Sequence, residues 1–194
     1  MCDVRPRRPM STGLIVPLAV CTLLAGCGKD PATALSKQLQ DSDAAIRYEA
    51  VQKLEALGPQ AKSAVPQLAK ALDDSNHKVR YRAAKALSKV GAGAKDAVPE
   101  LAGALHDPDP DVRYYVAKAL SAVEDNAEPA IPAIVTALNQ KESEKARYYL
   151  VKTLKNLGSA AQAAAPELRK ALKDSDKKVS EAAKSALRQI DKDK

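Results

Sequence analysis

Pro99-Glu100-Leu101-Ala102-Gly103-Ala104-Leu105-His106-Asp107-Pro108-Asp109-Pro110-Asp111-Val112-Arg113-Tyr114 is one copy of a pattern that fills most of the chain. Pro66, Pro99, Pro132 and Pro166 recur at intervals of 33, 33 and 34 residues. Each leads into a short apolar segment, residues 67–72, 100–105, 133–138 and 167–172. An acidic turn follows in most copies: Asp41-Ser42-Asp43, Asp74-Ser75-Asn76, Asp107-Pro108-Asp109 and Asp174-Ser175-Asp176. The fourth copy has Lys141-Glu142-Ser143 there, with one extra residue. A second segment then opens with Ile46-Arg47-Tyr48, Val79-Arg80-Tyr81, Val112-Arg113-Tyr114, Ala146-Arg147-Tyr148 and Val179-Ser180-Glu181. Self-similarity at this period is the signature of stacked supersecondary units.

The local chemistry predicts two helices per copy. With the Ile, Val or Ala of the second segment taken as position 0, Asp43, Asn76, Asp109, Ser143 and Asp176 stand three residues earlier. All five side chains can accept a hydrogen bond from free amides of a first helical turn. Pro110 falls at the first helical position, where its missing N–H costs nothing. Apolar residues return at positions +4, +7 and +8, as in Val79, Ala83, Ala86 and Leu87, which is one face of a helix. Gly58, Gly91 and Gly158 close three of these helices. One pair cannot bury both its faces, whereas stacked pairs can. The expected fold is therefore all-α, an α-solenoid of five helix pairs, at about 34–66, 67–99, 100–132, 133–166 and 167–194. The terminal copies are atypical. The first lacks the proline lead-in, and the fifth replaces Arg-Tyr by Ser180-Glu181.

Asp-Pro-Asp-Pro-Asp-Val-Arg (107–113) followed by Ala-x-x-x-Leu, with Gly-x-x-Ala-x-x-Ala-Val-Pro-x-Leu between copies, resembles the HEAT-like repeats of the phycobilisome-lyase type. The resemblance covers about residues 34–190. It implies a scaffold or adaptor more readily than an enzyme. Two enzyme activities occur among such proteins. Chromophore attachment would need a cyanobacterial cytoplasm, and the deoxyhypusine hydroxylase type holds two irons with His-Glu pairs. The only histidines here, His77 and His106, are not followed by Glu. No metal set and no cofactor are expected, and neither is a catalytic residue, because a residue needed once would not recur in register.

Two columns of side chains remain as candidates. Arg47, Arg80, Arg113 and Arg147 occupy position +1, on the flank towards a neighbouring copy. The resemblance implies that they pair with turn carboxylates as a structural ladder. Tyr48, Tyr81, Tyr114 and Tyr148 occupy position +2, about 175° from the apolar centre on a helical wheel, and so are expected to point outward. Lys85, Lys118 and Lys152 lie one turn further at +6, and Tyr115 and Tyr149 at +3 widen the stripe. The resemblance places second helices on a concave surface, so the stripe is expected to meet a partner there. Tyrosines that merely cover neighbouring helices, or descend from one duplicated ancestor, are the competing reading. On the partner-binding reading, changing Tyr81, Tyr114 and Tyr148 to Ser costs under ~1.5 kcal/mol.

The first 27 residues differ from the rest. Arg5, Arg7 and Arg8 precede an apolar run at 14–25 that ends in Leu24-Ala25-Gly26-Cys27. This is the build of an export signal, too short to span a bilayer. Leu-Ala-Gly-Cys resembles the lipobox of bacterial lipoproteins, which implies removal of residues 1–26, diacylglyceryl attachment and acylation (palmitate) at Cys27, and a short tether over 27–33. Gly28, standing where an Asp would retain the protein in the inner membrane, favours the outer one. Of the three cysteines, Cys2 and Cys21 are lost with the signal and Cys27 carries lipid, so no thiol is left for a disulfide, metal or catalysis. The remainder keeps 28 basic and 23 acidic side chains. Outside the cytoplasm this excess points away from nucleic acid, towards an acidic protein or anionic polymer of the envelope. The solenoid itself is expected to be a monomer.

Overall fold

A computed structural model of the chain describes residues 30–140 and 142–192. These form ten α-helices in five consecutive pairs. The first helices of the pairs are short: α1 (Pro31–Gln38), α3 (Val65–Lys70), α5 (Val98–Ala104), α7 (Ile131–Leu138) and α9 (Ala165–Ala171). The second helices are longer: α2 (Ala44–Leu57), α4 (His77–Val90), α6 (Pro110–Ala122), α8 (Glu144–Asn156) and α10 (Lys177–Lys192). Each second helix packs along its predecessor and successor, from α2 through α10, whereas first helices touch one another lightly. The helical-repeat solenoid expected from the period is the fold observed.

The caps explain where the second helices begin. Side-chain oxygens of Asp43, Asn76, Asp109 and Ser143 accept from the amides of Ala45, Lys78, Asp111 and Ala146, and Asp176 accepts from Lys178 and Val179. Gly58, Gly91 and Gly158 end three of them at φ 54°, 67° and 53°. The third pair has Glu124 there instead, at φ 55°, a conformation that costs a side-chain-bearing residue energy.

From each such turn a seven-residue 3-10 segment runs into the next first helix: 58–64, 91–97, 124–130 and 158–164. A 3-10 helix has three residues per turn, so positions i and i+3 eclipse. The alanines at those positions, Ala61 and Ala64, Ala94 and Ala97, Ala127 and Ala130, Ala161 and Ala164, are all fully buried. Only a methyl group fits the approach of successive repeats along this seam. Leucines one turn further on, Leu68, Leu101 and Leu168, and Ile134 fill the space between the layers.

Two expectations are corrected at the amino-terminal end. Pro31 opens α1 with Asp30 as its cap, so the first pair does have a proline lead-in. It escaped the period because it precedes Pro66 by 35 residues instead of 33 or 34. Ile46 is 41% exposed, whereas Val79, Val112, Ala146 and Val179 at the same position are buried. That position faces the preceding repeat, and the first repeat has none among the described residues. Leu172 is 42% exposed at the other end for the mirror-image reason. Cys27 and the signal segment lie outside the described residues.

Candidate binding groove

The arginine and tyrosine columns occupy adjacent positions of the same helices, +1 and +2, and both make contacts with the next repeat. Arg47 Nε reaches Asp74 at 2.6 Å, Arg80 Nε reaches Asp107 at 2.7 Å and Arg147 Nε reaches Asp174 at 2.6 Å. In these three a second nitrogen bonds the other carboxylate oxygen. Each arginine also donates to a carbonyl of its own turn: Asp41 for Arg47, Asp74 for Arg80, Asp107 for Arg113 and Glu142 for Arg147. One guanidinium thus ties its own turn to the next. The irregular fourth turn keeps the rung with a longer side chain, as Arg113 Nε donates to Glu142 at 2.7 Å. The Asp74, Asp107 and Glu142 side chains are at most 8% exposed. Burial would raise the Asp74 carboxyl, but Arg47, together with the Asn76 amide and Arg80, more than offsets it and holds it below the usual range. Arg147 does the same for Asp174.

The tyrosines do not stand free, which corrects the outward reading of position +2. All six are half-buried and packed against the core. A helical wheel of one helix misses the cause, since each second helix has another on either side. Position +2 of one repeat meets position +3 of the next. Tyr81 packs edge-on against Tyr115 at 5.1 Å between ring centres, and Tyr114 against Tyr149 at 5.8 Å. Tyr114–Tyr115 at 4.8 Å and Tyr148–Tyr149 at 5.4 Å join these into one zigzag of five rings. Burial and the Tyr81 hydroxyl push the Tyr115 hydroxyl up to about 12, so it keeps its proton. Four edge-to-face contacts at about 0.5–1.5 kcal/mol each exceed the ~1.5 kcal/mol expected for the Ser triple.

The first step of the groove is built differently. Arg82 stands at +3 where Tyr115 and Tyr149 stand later, and donates to the Tyr48 hydroxyl at 3.1 and 3.3 Å. It also bonds Glu55 at 2.6 Å. Lys89 and Lys85 reach the other oxygen of Glu55 at 2.8 and 3.3 Å. Burial alone would raise the Glu55 carboxyl, but the three cations hold it at about 2. Lys85 is therefore engaged within the chain, contrary to its expected availability to a partner. Lys118 and Lys152 differ. Each lies over a ring, 5.8 Å from Tyr115 and 5.9 Å from Tyr149, with no carboxylate partner among the described residues. Glu55, Arg82 and Lys89 had a signal in the sequence, since both Glu55 and Arg82 break their columns in adjacent copies.

A depression of about 360 Å³ opens further along, lined by Tyr148, Lys152, Lys155, Lys178 and Glu181 among others. A larger one, about 830 Å³, is on the turn edge between the second and third pairs, where Arg80 already neutralises Asp107. His106 lines it and contacts Gln140 at 3.2 Å, and His77 is an exposed residue opening α4. Among the described residues no three His, Cys, Asp or Glu side chains converge as a metal site requires. None of the described helices is long and apolar enough to cross a membrane.

Comparison with known proteins agrees with this architecture. The HEAT repeats model matches residues 32–95 and 91–144, and the PBS lyase HEAT-like repeat model matches 146–174. No curated protein matches the chain. Among solved structures, the complex of CpcE and CpcF of phycocyanin lyase from Nostoc sp. PCC7120 is similar at 26% identity and TM-score 0.68, covering 90% of this chain and 70% of that one. A designed armadillo repeat protein in complex with the peptide (KR)4 is 19% identical with TM-score 0.71, covering 82% of this chain and 81% of that one. A structure concerning the interaction between cadherin and beta-catenin is 19% identical with TM-score 0.65, and the match spans 82% of this chain but 38% of that one. An engineered protein of 24% identity and TM-score 0.67 is likewise matched over only 47% of its length. The last three likenesses carry the fold alone. With the HEAT model alone matching more than half of its length, the chain belongs to the HEAT-repeat proteins.

Proposed function

We propose that this chain is a lipid-anchored envelope protein whose solenoid binds a protein partner along its second-helix face and performs no chemistry itself. One observation carries the reading: the tyrosine zigzag is flanked by Lys118 and Lys152, which have no carboxylate to neutralise them among the described residues. Tyrosine supplies contact area at low entropic cost, and uncompensated lysine supplies charge complementarity. Solenoids of similar fold give support by analogy, since the designed armadillo protein holds a peptide. The anchor rests on Leu24-Ala25-Gly26-Cys27. Because α1 starts at Pro31, Cys27 is four residues from the first helix, a reach of about 14 Å. The partner must then be close to the membrane.

The test is capture from detergent-solubilised membranes of the native host, with the wild-type chain and with Lys118→Glu/Lys152→Glu. The expected result is a defined protein retained by the first and lost from the second, both melting alike. A chain that partitions into detergent yet retains nothing specific is a spacer, and the reading fails. For the anchor, Cys27→Ala is expected to block processing and release the protein from membranes. Wild-type chain found soluble and unmodified would refute that part alone.

A further inference from the structure

Glu55 displays what this groove does with a carboxylate. It sits at position +9 of α2, is 5% exposed, and receives three cations from α4, the next second helix. The same place in α4 holds Ser88 and in α6 holds Ser121. At the positions that Arg82 and Lys85 hold opposite Glu55, α6 has Tyr115 and Lys118 and α8 has Tyr149 and Lys152, each lysine lying over its tyrosine ring. The chain therefore supplies the carboxylate at its first step and leaves the next two steps with a lysine beside a tyrosine ring and, among the described residues, no carboxylate paired with that lysine. Ser88 is satisfied locally, its hydroxyl donating to the Lys85 carbonyl at 2.8 Å.

We propose that the α4–α6 and α6–α8 steps are seats for two carboxylates of one extended acidic peptide, set three residues apart, in the manner Glu55 occupies the α2–α4 step. This names the partner's chemistry for the scaffold reading above and rests on it. The spacing follows from helix packing. Adjacent helices lie about 8–10 Å apart. A polyproline-II peptide rises about 9.3 Å per three-residue turn and returns every third side chain to the same face. Prolines or other apolar residues between the acids would lie on the tyrosine rings, as in other aromatic-lined grooves. A sulfated polysaccharide or an anionic bilayer would use the lysines but has no need of the ring zigzag or of a three-residue period.

The experiment measures binding of fluorescent (Glu-Pro-Pro)4 to the full chain in detergent by anisotropy. A peptide of the same composition with its four Glu clustered at one end, heparin oligosaccharide and anionic phosphatidylglycerol vesicles are run beside it. The periodic peptide is expected to bind about tenfold tighter than the clustered one. Ser88→Glu/Ser121→Glu, which seats the chain's own carboxylates, is expected to abolish binding with the melting temperature unchanged or raised. Lys118→Ala/Lys152→Ala removes the same sites without adding bulk and is expected to do likewise. Glu55→Gln frees Arg82, Lys85 and Lys89 and is expected to tighten binding. Equal affinity for the two peptides, or indifference to these substitutions, overturns the proposal. Binding of heparin or vesicles that the Lys118/Lys152 variant loses, without peptide binding, also overturns it while leaving a binding groove in place. If no probe binds and the native-host capture fails too, it is the scaffold reading that falls.

Discussion

Replacing Tyr81, Tyr114 and Tyr148 together by Ser removes all four edge-to-face contacts of the zigzag, at 5.1, 4.8, 5.8 and 5.4 Å. At about 0.5–1.5 kcal/mol each, these contribute roughly 2–6 kcal/mol. Lost burial of half of each ring adds to this, but part of that area is already hidden in a compact unfolded chain, so a total of about 5 kcal/mol is expected. For a solenoid of this size, at about 2–4 °C per kcal/mol, the melting temperature falls by roughly 10–20 °C. The companion triple to Phe keeps the rings and is expected to cost under about 1 kcal/mol, because no hydroxyl of the three anchors a rung of the ladder. Circular dichroism melts of the three proteins give the answer. A Ser triple melting within about 3 °C of wild type would refute the claim that these rings hold successive repeats together.

Three further outcomes follow from the same geometry. Arg80→Met strands the nearly buried Asp107 and is expected to cost about 3 kcal/mol by urea denaturation, while Arg113→Met, whose rung to Glu142 has a single nitrogen–oxygen bond, costs roughly half as much. Glu55 is held at about 2, below its ordinary 4.5, so its contribution is complete above pH 4.5 and is lost as pH falls towards 2. The wild-type stability should drop through that window by up to about 3 kcal/mol more than that of Glu55→Gln, and parallel acid titrations of the two would exclude the cation cluster as its cause. Glu124→Gly relieves a positive φ and is expected to stabilise the chain by roughly 1 kcal/mol, with a lower melting temperature as the contrary result.

The helix pairs were legible because their signals are local. A cap at Asp43 or Asn76 and an apolar return at +4, +7 and +8 can be read within one copy, and the proline period gives the stacking. The 3-10 seam was legible too, as alanine every third residue at Ala61–Ala64 and Ala94–Ala97, but three is close enough to 3.6 that it passes for part of the helical pattern. What one copy cannot give is contact between copies. On an isolated helix a tyrosine at +2 points outward, and the neighbouring helices turn that outward residue into a half-buried one. Pairing across about 27 residues, as in Arg82 with Glu55, shows only when adjacent copies are compared column by column and a departure in one is met by a departure in the next.

That comparison also gives the groove a direction. The arginine ladder repeats at all four junctions, with Glu142 substituting where Asp is missing, so each turn is tied to the next along the whole stack. With that tie common to every junction, the steps differ in the chemistry of the side chains along the tyrosine face. Glu55 and Arg82 close the first step with the chain's own charges, Ser88 and Ser121 leave the next two open, and Lys155 begins a fourth that has gained a cation. Lysines without an ion pair of their own among the described residues thus begin at the second step, past the repeat nearest the proposed anchor. An acidic segment would bind past the first step, which leaves the first repeat as the part that sets its distance from the membrane.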